Sequence, residues 1–175
     1  PPMLWSYITE DKVSLAINSF GCFKASGLDG FKPIHLKYFI KNKIALKRLT
    51  MLFRAIVELG YTPNSWCEAK IIFIPKPGKK DYSEVRSFRP ISLLSFLLKS
   101  IERLAYWEII EDSGDALISK NQHAFRKNYS TETALSVLVD NIEDRITRSN
   151  YALICNLDIQ GAFDNALYST ILDSM

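Results

Sequence analysis

The sequence predicts an α+β chain, rich in helix, with one basic β-hairpin and a final strand that opens a sheet these residues do not finish. Three observations predict it. Apolar residues recur at three- and four-residue spacing in stretches bounded by capping residues and glycines. Between two such stretches lies a short β-rich run, a Pro-Gly turn and an apolar return. Towards the end, a compact apolar run delivers an aspartate.

Thr9 is expected to cap a helix whose first turn holds Glu10 and Asp11, with Val13, Ile17 and Phe20 on one face and Gly21 stopping it. The loop Lys24-Ala25-Ser26-Gly27-Leu28-Asp29-Gly30 follows. Pro33 suits the first position of a short helix carrying Ile34, Leu36 and Phe39. A longer helix carries Leu49, Leu52, Phe53, Ile56 and Val57 and ends near Gly60. Ala69 to Ile74 reads as a strand bounded by Pro75, with a turn at Pro77-Gly78-Lys79-Lys80 and an antiparallel return from Phe88 to Ser92. From Leu93 to about Ser113 the period is helical again, through Leu94, Leu97, Leu98, Ile101, Leu104 and Ala105, with Gly114 as the stop. A further helix from about Thr131 should bury Leu135, Leu138, Val139, Ile142 and Ile146. Ala152 to Leu157 reads as a strand ending at Asp158, and Asp164 opens one more helix.

A length of 175 residues with 47% hydrophobic and 23% charged content describes a folded chain, not a disordered tail. The net charge of +3 permits nucleic-acid binding without requiring it. Cys22, Cys67 and Cys155 are far apart and odd in number, which argues against a disulfide framework and for a reducing, intracellular setting. No apolar run approaches the roughly 20 residues that span a bilayer, so no membrane partner is expected. Both ends read as cuts in a longer protein, and neither a signal peptide nor an internal repeat is visible.

The stretch Ile154-Cys155-Asn156-Leu157-Asp158-Ile159-Gln160-Gly161-Ala162-Phe163-Asp164 is the most informative. A strand end is a rigid place for a hard oxygen ligand of Mg²⁺, and the Ile159 carbonyl could add a second oxygen. Asp158 and Asp164 are not a pair. On a strand they would stand about 20 Å apart, and on a helix they would face about 240° apart. Asp164 reads better as a helix cap. Taken by itself, Asp158 also reads as an ordinary strand-end turn residue. Gln160 stands where haloacid-dehalogenase-like phosphatases carry their second aspartate, which excludes that chemistry.

Lys70, Lys76, Lys79, Lys80, Arg86 and Arg89 crowd the hairpin, against Asp81 and Glu84. Lysine offers phosphate a point charge and arginine a bidentate fork. Pro90 fixes the backbone after Arg89. Composition alone would equally describe a solvated, lysine-rich turn.

In order, these segments resemble the reverse transcriptases of non-LTR (LINE-type) retrotransposons. Lys24 to Gly30 resembles the family's upstream Lys-x-Pro-Gly-x-Asp-Gly motif, with Ser26 in place of proline. Ile74-Pro75-Lys76-Pro77-Gly78-Lys79 and Phe88-Arg89-Pro90-Ile91-Ser92-Leu93-Leu94 resemble its two fingers motifs, with Lys99 and Glu102 following at the family spacing. Gln122-His123-Ala124-Phe125-Arg126 and Ser130-Thr131-Glu132-Thr133-Ala134 resemble the next segment, with Ala124 for glycine. Leu157 to Asp164 resembles the first palm motif.

The resemblance implies an N-terminal helical extension over residues 1–64, fingers over 65–151 and the start of the palm at 152–175. It implies an RNA-directed DNA polymerase that adds dNTPs to a DNA primer on an RNA template. Asp158 would be the catalytic, metal-binding aspartate of a two-Mg²⁺ site, with Ile159 lending its carbonyl. Arg89 and Lys76 would contact the dNTP phosphates, and Phe163 would reject a ribose 2′-hydroxyl unless it is a core residue. Lys79, Lys80 and Arg126 would contact nucleic acid. The family's Asp-Asp motif is absent from these 175 residues, so this segment alone is expected not to polymerise. A non-catalytic RNA-binding remnant is the alternative. In a parent element the protein would work as a nuclear or cytoplasmic ribonucleoprotein.

Overall fold

The computed structural model describes residues 4–113, 118–159, 161–162 and 165–173. The chain divides into two compact units, residues 1–117 and 118–175.

The first unit is a helical cluster that carries a hairpin. Its helices are α1 (Leu4–Tyr7), α2 (Glu10–Asn18), α3 (Pro33–Phe39), α4 (Lys43–Leu59), α5 (Asn64–Cys67) and α6 (Phe96–Ser113). Their ends follow local chemistry. The Thr9 side chain accepts from Lys12 N and caps α2, and the Asn42 side chain accepts from Ile44 N and Ala45 N at the start of α4. Pro33 opens α3. Gly60 ends α4 in the left-handed region, φ 59°, where glycine has no steric penalty.

The core collects Ile8, Val13, Ala16, Ile17, Leu36, Ile40, Leu49, Phe53, Phe96 and Leu104, with Phe20, Trp66, Ile101 and Trp107 packed against it. α2 lies at the centre, against α3, α4 and α6. Edge-on aromatic pairs, Phe20–Phe96 and Phe53–Trp66, knit the cluster. The buried hydroxyls of Thr50 and Ser100 donate to carbonyls one turn back, so neither enters the core unsatisfied.

The expected helix α3 carries Ile34, Leu36 and Phe39, but not all of them face the core. Ile34 and Phe39 are exposed, and the helix buries Pro33, Leu36 and, just past its end, Ile40. In a helix this short, one turn against α2 sets the buried face, and the outward residues stay wet. The helix expected from Leu93 begins later, at Phe96, because Leu93 still pairs within the sheet.

The sheet is a two-stranded antiparallel hairpin, β1 (Lys70–Pro75) with β2 (Phe88–Leu93). Lys70 pairs with Leu93, Ile72 with Ile91 and Ile74 with Arg89. Pro90 is tolerated because each strand of a two-stranded sheet has a free edge, where a missing N–H breaks no ladder bond.

The second unit holds α7 (Thr131–Ser149) and α8 (Tyr168–Asp173). Ser130 caps α7 with a capping box, its hydroxyl accepting from Thr133 N while Thr133 Oγ1 accepts from Ser130 N. Two expectations are corrected here. α7 buries none of its residues, so the stripe Leu135, Leu138, Val139, Ile142 and Ile146 is periodic but not a core. Residues 152–157 form no strand, and Leu157 is 90% exposed. A strand exists through its pairing, and among the described residues no other segment pairs with this one. The Gly114 helix stop, Gln160, Phe163 and the Asp164 cap lie outside the described residues. The helix expected near Asp164 begins at Tyr168.

Candidate functional site

The hairpin tip is an organised loop and not a loose basic turn. Beyond the last strand pair, Lys76 N donates to Ser87 O at 2.8 Å and carries the closure one residue further. The Lys76 ammonium turns back and donates to Arg86 O at 2.8 Å. The Tyr82 hydroxyl crosses the loop to donate to Lys76 O at 2.8 Å, and its ring meets Phe88 edge-on, with centroids 5.9 Å apart. Ser87, buried, donates its hydroxyl to Asp81 O. Asp81 accepts from the Ser83 amide and the Ser83 hydroxyl, both at 2.8 Å. These bonds, the backbone one foremost, hold the Asp81 carboxyl below its ordinary range. Gly78 makes the sharp bend at φ 76°, a conformation that any side chain would strain.

This lattice presents Lys79, Lys80, Arg86 and Arg89 to solvent. Arg89 reaches the same end of the hairpin as Lys76 because Ile74 is its partner in the ladder. Lys76, expected as a phosphate contact, spends one of its three donors on Arg86 O and so braces the tip as well as charging it.

The Lys24–Gly30 loop is tied to the junction that follows β2. Gly27 is buried, and a Cβ built there would stand 2.7 Å from the Leu94 carbonyl carbon and 2.8 Å from Ser95 N. Only glycine permits that approach between the loop and the junction of β2 with α6. Asp29 Oδ1 accepts from Phe31 N at 3.1 Å, which shapes the turn through Gly30 at φ 71°.

In the second unit, Arg126 stacks its guanidinium on Tyr129, 4.3 Å from the ring centroid, and His123 meets the same ring edge-on. His123 Nδ1 lies 2.9 Å from Thr133 Oγ1, which ties this loop to the start of α7. Phe125, beside Arg126, is 84% exposed and adopts φ 59°, an outlying conformation for a bulky residue.

Asp158 and Ile159 are exposed on an irregular segment. Among the described residues no three His, Cys, Asp or Glu side chains come together as a metal site. One carboxylate and one carbonyl are two oxygens, where Mg²⁺ takes six ligands. The described residues therefore do not fit a two-metal centre by themselves. Arg89, Lys76, Lys79 and Lys80 share the hairpin of the first unit, while Arg126, Asp158 and Ile159 belong to the second. The spacing Asp81-x-Ser83 is a sequence signal for a side-chain-braced turn that a count of charges passes over. Tyr82 and Ser87 gave no comparable signal, because their partners lie six residues away.

No family model matches the chain. Curated proteins do. The RNA-directed DNA polymerase from mobile element jockey of Drosophila funebris is 37% identical over 129 residues, 73% of this chain and 14% of the relative. The probable RNA-directed DNA polymerase from transposon X-element of Drosophila melanogaster is 36% identical over 121 residues, 69% of this chain and 13% of the relative. The probable RNA-directed DNA polymerase from transposon BS of the same fly is 29% identical over 169 residues, 96% of this chain and 18% of the relative.

The chain belongs to the non-LTR retrotransposon reverse transcriptases. It spans less than a fifth of the length of these relatives. As a reverse-transcriptase segment, it has the α+β character expected, mixed helix with a two-stranded antiparallel sheet. Among the described residues no helix is long and apolar enough to cross a membrane.

Proposed function

We propose that this chain supplies the fingers and the beginning of the palm of an RNA-directed DNA polymerase, and that its hairpin grips the triphosphate of the incoming dNTP. The supporting observation is the register that pairs Ile74 with Arg89 and Pro75 with Phe88. Two basic motifs about a dozen residues apart thereby meet at one end of one hairpin. Arg89 presents the planar fork that matches phosphate oxygens. Lys76 holds the loop shape and adds charge. Lys79, Lys80 and Arg126 contact the RNA template or the DNA primer.

In this reading residues 1–64 are the N-terminal extension, 65–151 the fingers and 152–175 the start of the palm. Asp158 is one oxygen ligand for Mg²⁺ and the Ile159 carbonyl a second, with the remaining ligands supplied elsewhere in the polymerase. Phe163 walls off the 2′-hydroxyl. The parent polymerase acts as an intracellular ribonucleoprotein. The relatives' names favour this reading over a non-catalytic RNA-binding remnant.

The test is primer extension on an RNA template by the polymerase that carries this segment. Asp158→Asn should abolish extension while leaving template binding intact. Unchanged extension by Asp158→Asn would defeat the assignment. The 175 residues alone should extend no primer.

A further inference from the structure

Cys22 is half-buried in the turn that follows α2, and Lys37 is half-buried on α3. They stand 15 positions apart in sequence and meet in space: the Lys37 ammonium donates to Cys22 Sγ at 3.7 Å. Neither residue takes part in the hairpin or in the polymerase reading. The pair lies in an open groove of about 580 Å³ between α2 and α3, which Ser14, Asn18, Ile34 and Lys41 also line. Cys67 and Cys155 are exposed, and among the described residues no amine is bonded to either thiol.

Three features of this place act together. The groove is open, so a small oxidant can reach the thiol. The Lys37 amine already touches the sulfur that such an oxidant would attack, whereas Lys41, the other amine of the lining, stands 5.7 Å from the Tyr38 ring centroid. The chain between the two residues contains the Lys24–Gly30 loop, whose Gly27 is seated against Leu94 and Ser95. A covalent bond between Cys22 and Lys37 would close that loop into a ring. Ring closure takes freedom chiefly from the unfolded chain, so the bond would hold the loop on the junction between β2 and α6.

We propose that Cys22 and Lys37 form a reversible covalent link when the chain meets hydrogen peroxide. The Cys22 thiolate attacks one peroxide oxygen. The S–O bond forms, the O–O bond breaks, and the departing hydroxide takes a proton and leaves as water. The sulfur loses two electrons to the peroxide and becomes a sulfenic acid. The Lys37 amine, in its neutral form, then gives its lone pair to that sulfur. The S–N bond forms, the S–O bond breaks, and the hydroxyl leaves with an amine proton as a second water. The flexible stem of lysine supplies the closer approach that the S–N bond needs. A dithiol reverses the link, returning thiol and amine while it is itself oxidised to a disulfide. The link uses no nucleotide, metal or template, so it stands or falls apart from the polymerase reading.

The test is peptide mass mapping and urea unfolding of the 175-residue chain before and after hydrogen peroxide. Cys67→Ser and Cys155→Ser are built in, so that no disulfide can form within one chain. Peroxide should join the peptides that carry Cys22 and Lys37 into one species, lighter by two hydrogens than their sum. The linked chain should unfold at a urea concentration higher by about 1 M. Dithiothreitol should restore both the separate peptides and the original midpoint. Lys37→Arg keeps a donor on the sulfur but removes the nucleophilic amine. In that variant Cys22 should still react with dimedone, which captures a sulfenic acid, and neither the link nor the shift should appear. Lys41→Arg should link like the parent. The proposal is overturned if Cys22 reaches the sulfenic acid with no link to Lys37, if it resists peroxide altogether, or if Lys24 or Lys41 is joined instead. A midpoint shift of equal size in Lys37→Arg would overturn it as well.

Discussion

Replacing Gly27 by alanine tests the link between the Lys24–Gly30 loop and the β1–β2 hairpin. The added Cβ would stand 2.7 Å from the Leu94 carbonyl carbon and 2.8 Å from Ser95 N. Ordinary contact begins at 3.4 Å, so the loop must retreat by more than half an ångström from atoms that cannot rotate away. Both are backbone atoms at the junction where β2 ends and α6 begins. Overpacking of this kind costs about 1–3 kcal/mol. The stiffer unfolded chain returns about 0.4–1 kcal/mol, leaving a net loss of about 1–2 kcal/mol. Gly21→Ala is the matched control, because its nearest neighbour is the flexible Lys24 side chain, with Cε at 3.3 Å. The assay is urea unfolding followed by circular dichroism. With a slope of about 2 kcal/mol per molar urea, Gly27→Ala should unfold roughly 0.5–1 M earlier than the parent, and Gly21→Ala at about the parental midpoint. Equal midpoints for the two variants would refute the close-approach argument.

Three further outcomes are expected. Tyr82→Phe removes the hydroxyl that reaches Lys76 O but keeps the ring on Phe88. It should cost the tip about 0.5–1.5 kcal/mol, seen as faster amide exchange at Lys76 and Ser87, and unchanged exchange there would remove the brace. Asn42→Ala deletes a cap that accepts from two amides of α4. It should lower stability by about 0.5–2 kcal/mol in the same urea assay, whereas an unaltered midpoint would mean the helix start is satisfied by water. Asp81, held low by Ser83, contributes order that is present above the ordinary aspartate range and lost as pH falls through its lowered value. The Ser83 amide signal in NMR should therefore stay constant down to about pH 4 and move only below it. A midpoint at or above the ordinary aspartate value would contradict the bonding described.

What was legible in the sequence was local. Thr9, Pro33 and Gly60 mark helix ends because caps and left-handed stops act within one turn. The hairpin was legible because a β-rich run, a Pro-Gly turn and an apolar return fix its register without help from afar. The failures were those that depend on a partner. Residues 152–157 have strand composition, yet pairing, not composition, makes a strand, and none is found among the described residues. The α7 stripe has helical period, yet periodicity does not say whether anything covers it. At α3, Leu36 and Ile34 look alike in sequence, and only contact with α2 separates them. At the candidate site, Arg89 and Lys76 were readable as charges. The bond from Lys76 to Arg86 O was not, because it depends on how the tip folds back on itself.

The claim that the hairpin grips a triphosphate is tested most directly by steady-state dNTP kinetics of the polymerase carrying this segment, comparing the parent with Arg89→Ala and Arg89→Lys. Charge-assisted bonds of this kind are worth about 1.5–3 kcal/mol. Arg89→Ala should therefore raise the dNTP KM by about tenfold or more, with a smaller fall in kcat. Arg89→Lys should lie between the two, since lysine keeps the charge and loses the fork. An unchanged dNTP KM in Arg89→Ala, with the protein folded and template still bound, would contradict the account.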